Sequence, residues 1–332
     1  MPKADQLKTL IESFAASDDA RFYRTALQLA ADEARRGHGK LAQELRDLID
    51  GARGRGAAVP AGAKRPIPLA QPRGDLGELV LASYPDLKLD EMVLSQPLAR
   101  GLGRVLRENR GTEALRERGL HARRKLLLVG PPGTGKTMTA RAIAGELHLP
   151  LYLVRFESMI TKFMGETAAK LKLVFDAMRA VKAVFLFDEF DAIGAQRALP
   201  NDTGEIRRIL NSFLKFIEAD ESESLIIAAT NHAEILDRAL VRRFDDVLTY
   251  QIPEPPQILA TLRRAFAGFR VQVSDWETLA NEASGLSYAD IVRACDDAAK
   301  DMVLDGRDAL SAEQVADAIR ERQLAHSALD PR

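Results

Sequence analysis

Five short apolar runs punctuate the middle of the chain: Leu126–Val129, Leu149–Val154, Ala183–Phe187, Leu225–Ala229 and Val247–Ile252. Val247–Ile252 is interrupted by Thr249 and Gln251 and is expected simply as a strand, but the other four do not alternate with polar residues as a half-exposed strand would. Runs of this kind predict parallel strands covered on both faces. The segments between them carry helical spacing. Met138–Leu147 predicts a helix with Ile143, Ala144 and Leu147 on one face, and the segment after Glu166 predicts one with Leu171, Leu173, Val174, Phe175 and Met178 inside. Ser95–Arg118 predicts a highly charged helix. From Gln257 to Leu329 the pattern is helical throughout, with apolar groups at Leu259, Leu262, Ala265 and Phe266, at Ile291, Val292, Ala294 and Cys295, and at Val315, Ala316 and Ile319. Ser287 is the expected N-cap of one of these helices.

The two ends of the chain differ from its middle. Leu7, Leu10, Ile11 and Phe14, then Phe22, Tyr23, Ala26, Leu27 and Ala30, then Leu41, Leu45, Leu48 and Ile49 define three short amphipathic helices within residues 1–50. Residues 51–75 are rich in Gly, Ala and Pro and bear Arg53, Arg55, Lys64, Arg65 and Arg73, a composition suited to a tether. The expected organisation is a helical docking module at 1–50, a basic linker at 51–75, an α/β nucleotide-binding domain at 76–254 and a helical lid at 255–332.

Composition narrows the setting. The 47 basic and 48 acidic residues nearly cancel, so no global field favours nucleic acid or an anionic membrane. The single cysteine, Cys295, excludes an internal disulfide and suits a reducing compartment. No apolar run approaches the ~18–20 residues that span a bilayer, and MPKADQLKTL lacks the apolar core of a signal peptide. The five histidines show no metal-ligand spacing. These features predict a soluble protein of the cytoplasm.

The chemistry begins where the first apolar run ends. Gly130-Pro131-Pro132-Gly133-Thr134-Gly135-Lys136-Thr137 satisfies G-x-x-x-x-G-K-[ST] between a strand and a helix, the context that makes the motif a phosphate cradle. Glycines admit phosphate oxygens close to backbone N–H groups, and the helix N-terminus adds positive partial charge. Pro132, Gly133, Thr134, Gly135, Lys136, Thr137 and Met138 are the expected nucleotide contacts, with Lys136 on the β- and γ-phosphates and the Thr137 hydroxyl on Mg²⁺. The third run ends in Asp188-Glu189. Because ligands lie at the carboxyl ends of parallel strands, Asp188 is expected to hold Mg²⁺ and Glu189 to act on the attacking water. The fourth run ends in Asn231, whose amide suits positioning a water or the γ-phosphate.

With these residues in order, and with Arg242-Arg243-Phe244-Asp245 after them, the chain resembles the AAA ATPases, in particular the AAA clade within the AAA+ group, from about Leu76 to its end. The resemblance implies an α/β P-loop NTPase with a helical lid, ATP and Mg²⁺ as cofactors, and a homo-oligomeric ring, usually a hexamer, that remodels or threads protein. It implies that Ser287-Tyr288-Ala289-Asp290 lies against adenine and ribose, with Ala289 a cofactor contact. It also implies that Lys162-Phe163-Met164-Gly165 is a pore loop touching a protein client, and that an arginine of the Arg242–Arg243 pair is supplied to a neighbour's site. The clade usually places proline and glycine between its two arginines, whereas here they are adjacent, so the sequence does not say which is the finger. Surface pairing with Asp245 or Asp246 is the other reading of that pair. The N-terminal module joined to one ATPase domain also looks similar to bacterial stand-alone AAA ATPases found with subtilisin-like proteases, which implies a protease partner. Two alternatives stay open: a nucleic-acid motor using the basic linker and Arg123-Arg124-Lys125, and an ATP-switched assembly scaffold.

Overall fold

A computed structural model describes Thr25 and residues 75–155, 166–190, 203–232 and 238–329. The chain divides into two compact units, residues 1–65 and 66–332. Of the first unit only Thr25 is described, and it lies in a helix. The remainder of the 1–50 module, the 51–75 tether up to Gly74 and the Lys162–Gly165 loop lie outside the described residues.

The second unit is built on a six-stranded sheet in the order β1-β3-β4-β5-β2-β6. Its strands are β1 (Val80–Ser83), β2 (Lys125–Val129), β3 (Leu151–Val154), β4 (Val184–Phe187), β5 (Leu225–Thr230) and β6 (Asp246–Thr249). All pairs are parallel except β1 with β3, where Val80 faces Val154 and Ser83 faces Leu151. The helices are α1 (Asp75–Leu79), α2 (Gln96–Arg110), α3 (Thr112–Arg116), α4 (Lys136–Leu147), α5 (Glu166–Ala180), α6 (Thr203–Glu218) and α7 (Arg238–Val241). The chain returns from β3 through β4 to β5 beside β2, then crosses to β6 on the other side. The fold is an α/β P-loop NTPase, a mostly parallel sheet between helices with a helical C-terminal region.

The uninterrupted apolar runs are explained by two separate cores. Along β4 and β5, Phe185, Phe187, Ile226 and Ala228 point into one core with Leu127 of β2, against Leu171, Val174, Phe175 and Met178 of α5 and Leu210, Phe213 and Ile217 of α6. The intervening residues Val184, Leu186, Leu225, Ile227 and Ala229 point the other way, against Leu102, Val105 and Leu106 of α2 and Ala140, Ile143 and Ala144 of α4. Every residue of β4 and β5 is therefore buried. Beneath the end of β4 lies an aromatic cluster. Phe213 meets Phe187 edge-on at 5.1 Å between ring centroids, Phe190 at 4.8 Å and Phe175 at 5.9 Å.

The C-terminal region has its own core, formed by α8 (Pro255–Ala265), α9 (Trp276–Glu282), α10 (Tyr288–Leu304) and α11 (Ala312–Leu329). Ser287 caps α10, its hydroxyl accepting from the Asp290 N–H. Asp275 caps α9 through the N–H groups of Glu277 and Thr278.

Several expectations need correcting. The Ser95–Arg118 helix is two helices, α2 and α3, broken at Gly111. The strand expected over Leu149–Val154 starts at Leu151, because His148 closes α4 in a left-handed conformation and Pro150 follows it. The last strand spans Asp246–Thr249, not Val247–Ile252, since pairing with β2 ends at Thr249. The edge strand β1 was not foreseen, and the C-terminal region holds a two-stranded ribbon, β7 (Val271–Gln272) with β8 (Leu310–Ser311). Two-residue strands offer no periodicity to read. Leu173, expected inside its helix, and Val292, one of the apolar positions of the C-terminal pattern, are each 40 % exposed.

Phe213 is fully buried at the centre of the aromatic cluster. Phe213→Ala should cost about 3–5 kcal/mol of unfolding free energy in a urea titration followed by circular dichroism. A loss below about 1 kcal/mol would show that the cluster closes around the gap.

Candidate nucleotide site

The phosphate loop gets its shape from both flanks. At its start, Gly130 has φ +152° and lies so close to Tyr250 that a Cβ would fall 2.3 Å from the Tyr250 carbonyl oxygen. At its end, Gly135 adopts φ +97° and serves as N-cap of α4, with no side chain capping the helix. α4 begins at Lys136, two residues before the expected Met138, because the left-handed glycine lets the chain enter the helix directly from the loop. An uncapped helix N-terminus after a glycine cradle is suited to an anion, and this arrangement fits a nucleotide phosphate. The Thr134 hydroxyl ties the loop to itself by donating to the Pro131 carbonyl at 2.7 Å.

Parallel pairing brings the ends of β2, β4 and β5 to the same edge. There the Lys136 ammonium, on a largely buried side chain, donates to the carbonyls of Gly130 at 2.6 Å and Pro131 at 2.8 Å and to Asn231 Oδ1 at 2.8 Å. The Thr137 hydroxyl donates to Asp188 Oδ2 at 2.6 Å. A hydroxyl and a carboxylate side by side at the loop are oxygen donors of the kind Mg²⁺ takes. Glu189 follows with an exposed side chain and φ +50°. A non-glycine residue held in the left-handed region is uncommon. It is fixed here by its N–H on Asp188 Oδ1 at 3.0 Å and by the Phe190 N–H on the Ala229 carbonyl at 2.8 Å.

The C-terminal region touches the loop directly. Ala289 donates its N–H to the Gly133 carbonyl at 3.1 Å, and a Cβ on Gly133 would meet Ser287 Oγ at 2.3 Å. Beside Thr134 opens a cavity of about 310 Å³ bounded by Val93, Leu94, Tyr250, Gln257 and Tyr288 among others. Burial, with the Glu254 charge second, raises the Tyr288 phenol above its ordinary range, so it stays neutral. Of this wall, Thr134 belongs to the phosphate loop and Tyr288 to the segment the resemblance marked. Val93, Leu94 and Gln257 carry no motif, and only their approach in space marks them.

The structure thus brings together Gly133, Thr134, Gly135, Lys136, Thr137, Asp188, Glu189, Asn231 and Ala289. Pro132 is exposed on the loop, and Met138 is 40 % exposed on α4. The arginine pair lies elsewhere. Asp245 accepts from the N–H groups of Arg124 and Lys125, and Asp246 pairs with Leu126, so Arg242 and Arg243 adjoin the amino end of β2. The phosphate loop leaves the carboxyl end of the same strand, about 13 Å away at ~3.3 Å per residue. Neither arginine pairs with Asp245 or Asp246 as one reading had it. Those acids are taken by the Arg124 and Lys125 backbone and by Arg123, at 3.0 Å from Asp246. Arg243 meets Glu218 at 3.2 Å instead, whereas Arg242 is exposed and has no ion pair among the described residues.

Residues 126–252 match the family described as ATPase family associated with various cellular activities (AAA). Over 309 residues the chain is 33 % identical to an uncharacterized AAA family ATPase, y4kL, of Sinorhizobium fredii, covering 92 % of this chain and 91 % of that protein. It is 37 % identical over 189 residues to the ATP-dependent zinc metalloprotease FtsH of Acidimicrobium ferrooxidans. It is 32 % identical over 209 residues to that of Mesoplasma florum. The chain spans only 29 % and 32 % of those two proteins, and they cover 54 % and 61 % of it.

Lys136 and Glu189 should fail differently when changed. Lys136→Ala removes a charge-assisted donor to phosphate and should weaken nucleotide binding about tenfold or more, measured with a fluorescent ATP analogue. Glu189→Gln should keep affinity within about threefold and lower phosphate release ~10²-fold or more. Equal loss of affinity in both would contradict the division of roles.

Proposed function

The chain belongs to the AAA ATPases, and from that premise we propose that it works as a Mg²⁺-dependent ring that uses ATP hydrolysis to pull or unfold a protein client. ATP hydrolysis itself follows from membership. The ring, a hexamer in this reading, is supported by one observation above all: the arginines lie a full strand length from the loop of their own subunit. An arginine that cannot reach its own phosphates is suited to a neighbour's.

In this mechanism the loop N–H groups and Lys136 bind and orient the phosphates, which requires the ammonium to exchange its present carbonyl partners for phosphate oxygens. Mg²⁺, held by Thr137 and Asp188, would neutralise charge on the β- and γ-phosphates. Glu189 orients the attacking water and takes its proton. The Asn231 amide, with its oxygen on Lys136, keeps the ammonium and the water position in register. Arg242 of an adjacent copy stabilises the transferring phosphoryl group, because its side chain is exposed, while Arg243 Nε lies 3.2 Å from Glu218, an ion-pair contact without hydrogen-bond geometry. Arg243 then acts as a positioning residue.

Phe163, with Lys162, Met164 and Gly165, is the proposed client contact. A large ring with only two side-chain torsions holds varied chains at small entropic cost. Residues 1–50 are proposed to dock the client, or a protease that receives it, in the cytoplasm. Among the described residues no helix is long and apolar enough to cross a membrane. Of the basic residues the nucleic-acid alternative invokes, the linker set lies outside the described residues, while the Arg123-Arg124-Lys125 set is engaged within the domain. Arg123 binds Glu108 and Asp246, Arg124 binds the buried Asp220, and the Lys125 ammonium donates to the Ile217 carbonyl.

The trans arrangement is testable by mixing. Arg242→Ala should lower turnover ~10³-fold or more with nucleotide affinity retained, and Arg243→Ala should lower it less. Mixing Arg242→Ala with Lys136→Ala protein should restore part of the activity, since mixed rings contain intact pairs. Wild-type turnover per subunit that stays constant on dilution to a proven monomer would refute the ring.

The client reading is tested by photocrosslinking from position 163 in the ATP-bound Glu189→Gln protein. Crosslinked protein is expected, and Phe163→Ala should hydrolyse ATP yet do no work on that client. Crosslinked nucleic acid without protein would point to the motor alternative. No crosslinked polymer, with turnover indifferent to any added chain, would point to the scaffold.

A further inference from the structure

Tyr250 grips the phosphate loop at both ends, and no sequence motif marks it. Its N–H donates to the Val129 carbonyl at 2.6 Å, and its backbone carbonyl and Cβ press on Gly130, where the loop begins. Its hydroxyl donates to Thr139 Oγ1 at 2.7 Å. The Thr139 hydroxyl has one proton and donates it to the Gly135 carbonyl at 3.0 Å, where the loop ends. The Thr139 N–H reaches the same carbonyl at 2.8 Å. Tyr250 is 3 % exposed and Thr139 is fully buried, so water does not compete for either hydroxyl.

We infer that Tyr250, acting through Thr139, is a positioning residue that sets the span of the phosphate loop and thereby its affinity for the diphosphate group of the nucleotide. The argument is one of economy of partners. A buried hydroxyl must find a partner, and each here has one in the chain Tyr250 Oη to Thr139 Oγ1 to the Gly135 carbonyl. Val129 and Gly135 flank the segment whose N–H groups face the phosphates. Linking both flanks to one rigid ring removes freedom that the loop would otherwise lose on binding. Burial also pushes the Tyr250 phenol far up, so it remains a donor at any physiological pH. Tyr250 borders the cavity beside Thr134 as well, so a role in holding the base is the competing account.

This inference rests on the ATP-binding reading of the site. It is tested in the full-length protein by the affinity for Mg–ADP, read with a fluorescent ADP analogue. Tyr250→Phe keeps the ring and removes the hydroxyl, Thr139→Val keeps the shape, and Thr139→Ser keeps a hydroxyl. Tyr250→Phe and Thr139→Val should each weaken ADP about five- to tenfold, and the double variant should be no weaker than the worse single. Thr139→Ser should stay within about twofold of wild type. KM for ATP should rise by the same factor while kcat changes less than about twofold, because loop and phosphates meet alike in ground and transition states. Competition by pyrophosphate should weaken by the factor seen for ADP, and competition by adenosine should not change. Wild-type affinity in both single variants overturns the inference, as does strictly additive loss or equal weakening of adenosine and pyrophosphate. Absence of ADP binding by the wild-type protein would overturn the nucleotide reading and this inference with it. Binding by wild type with unchanged variants would overturn the inference alone.

Discussion

Burial of the central strands on both faces is the constraint from which the rest follows. β4 and β5 have no exposed residue along their length, and the interior of β2 is equally covered. Polar groups cannot be accommodated there without partners, so they collect at the two ends of the strands. Parallel pairing gives those ends distinct characters. The carboxyl edge collects Lys136, Thr137, Asp188, Glu189 and Asn231, while the amino edge collects ion pairs such as Arg124 with the fully buried Asp220 side chain. The Lys125 ammonium sits at this amino edge too, its pKa lowered by burial first and by Arg124 second. The separation of the arginines from their own phosphate loop is therefore a consequence of strand length and direction.

Close approach limits the loop at two glycines. Gly130 is wedged against Tyr250 and Gly133 against Ser287, and in each case a Cβ would overlap a neighbouring atom. The same holds where α4 ends, as Gly145 leaves no room for a Cβ beside the Leu87 carbonyl. There Lys88 donates to the Gly145 carbonyl, fastening the segment before α2 to the end of α4, and Arg110 pairs with Glu146, fastening the end of α2 to the same place. Because the Ala289 N–H bonds the Gly133 carbonyl, a shift of the loop must be accommodated by α10. The phosphate loop and the C-terminal helices are thus in direct contact.

Much of the fold was legible because its signals are local or periodic. The apolar runs located β2 to β5 to within two residues, since two-faced burial leaves an unbroken stretch that no surface element shares. The phosphate loop was legible because glycine positions and a following helix report backbone geometry directly. Asp188, Glu189 and Asn231 could be singled out by combining an apolar run with a polar end. What the sequence determined, then, is the sheet, the loop and the identity of the groups at its carboxyl edge, because each depends on residues close in the chain.

Tertiary structure decided what depends on distant partners. The edge strand β1 exists because β3 supplies its hydrogen bonds, and the two-residue ribbon of β7 and β8 has too few positions for a period. Arg243 is distinguished from Arg242 by Glu218 at the far end of α6, although the two arginines are neighbours in sequence. Tyr250 reads as one more strand residue until its hydroxyl is seen on Thr139, 111 positions away. Propensity and spacing describe what a segment prefers. Which side chain closes on which is set only when the sheet has brought them within a hydrogen bond of each other.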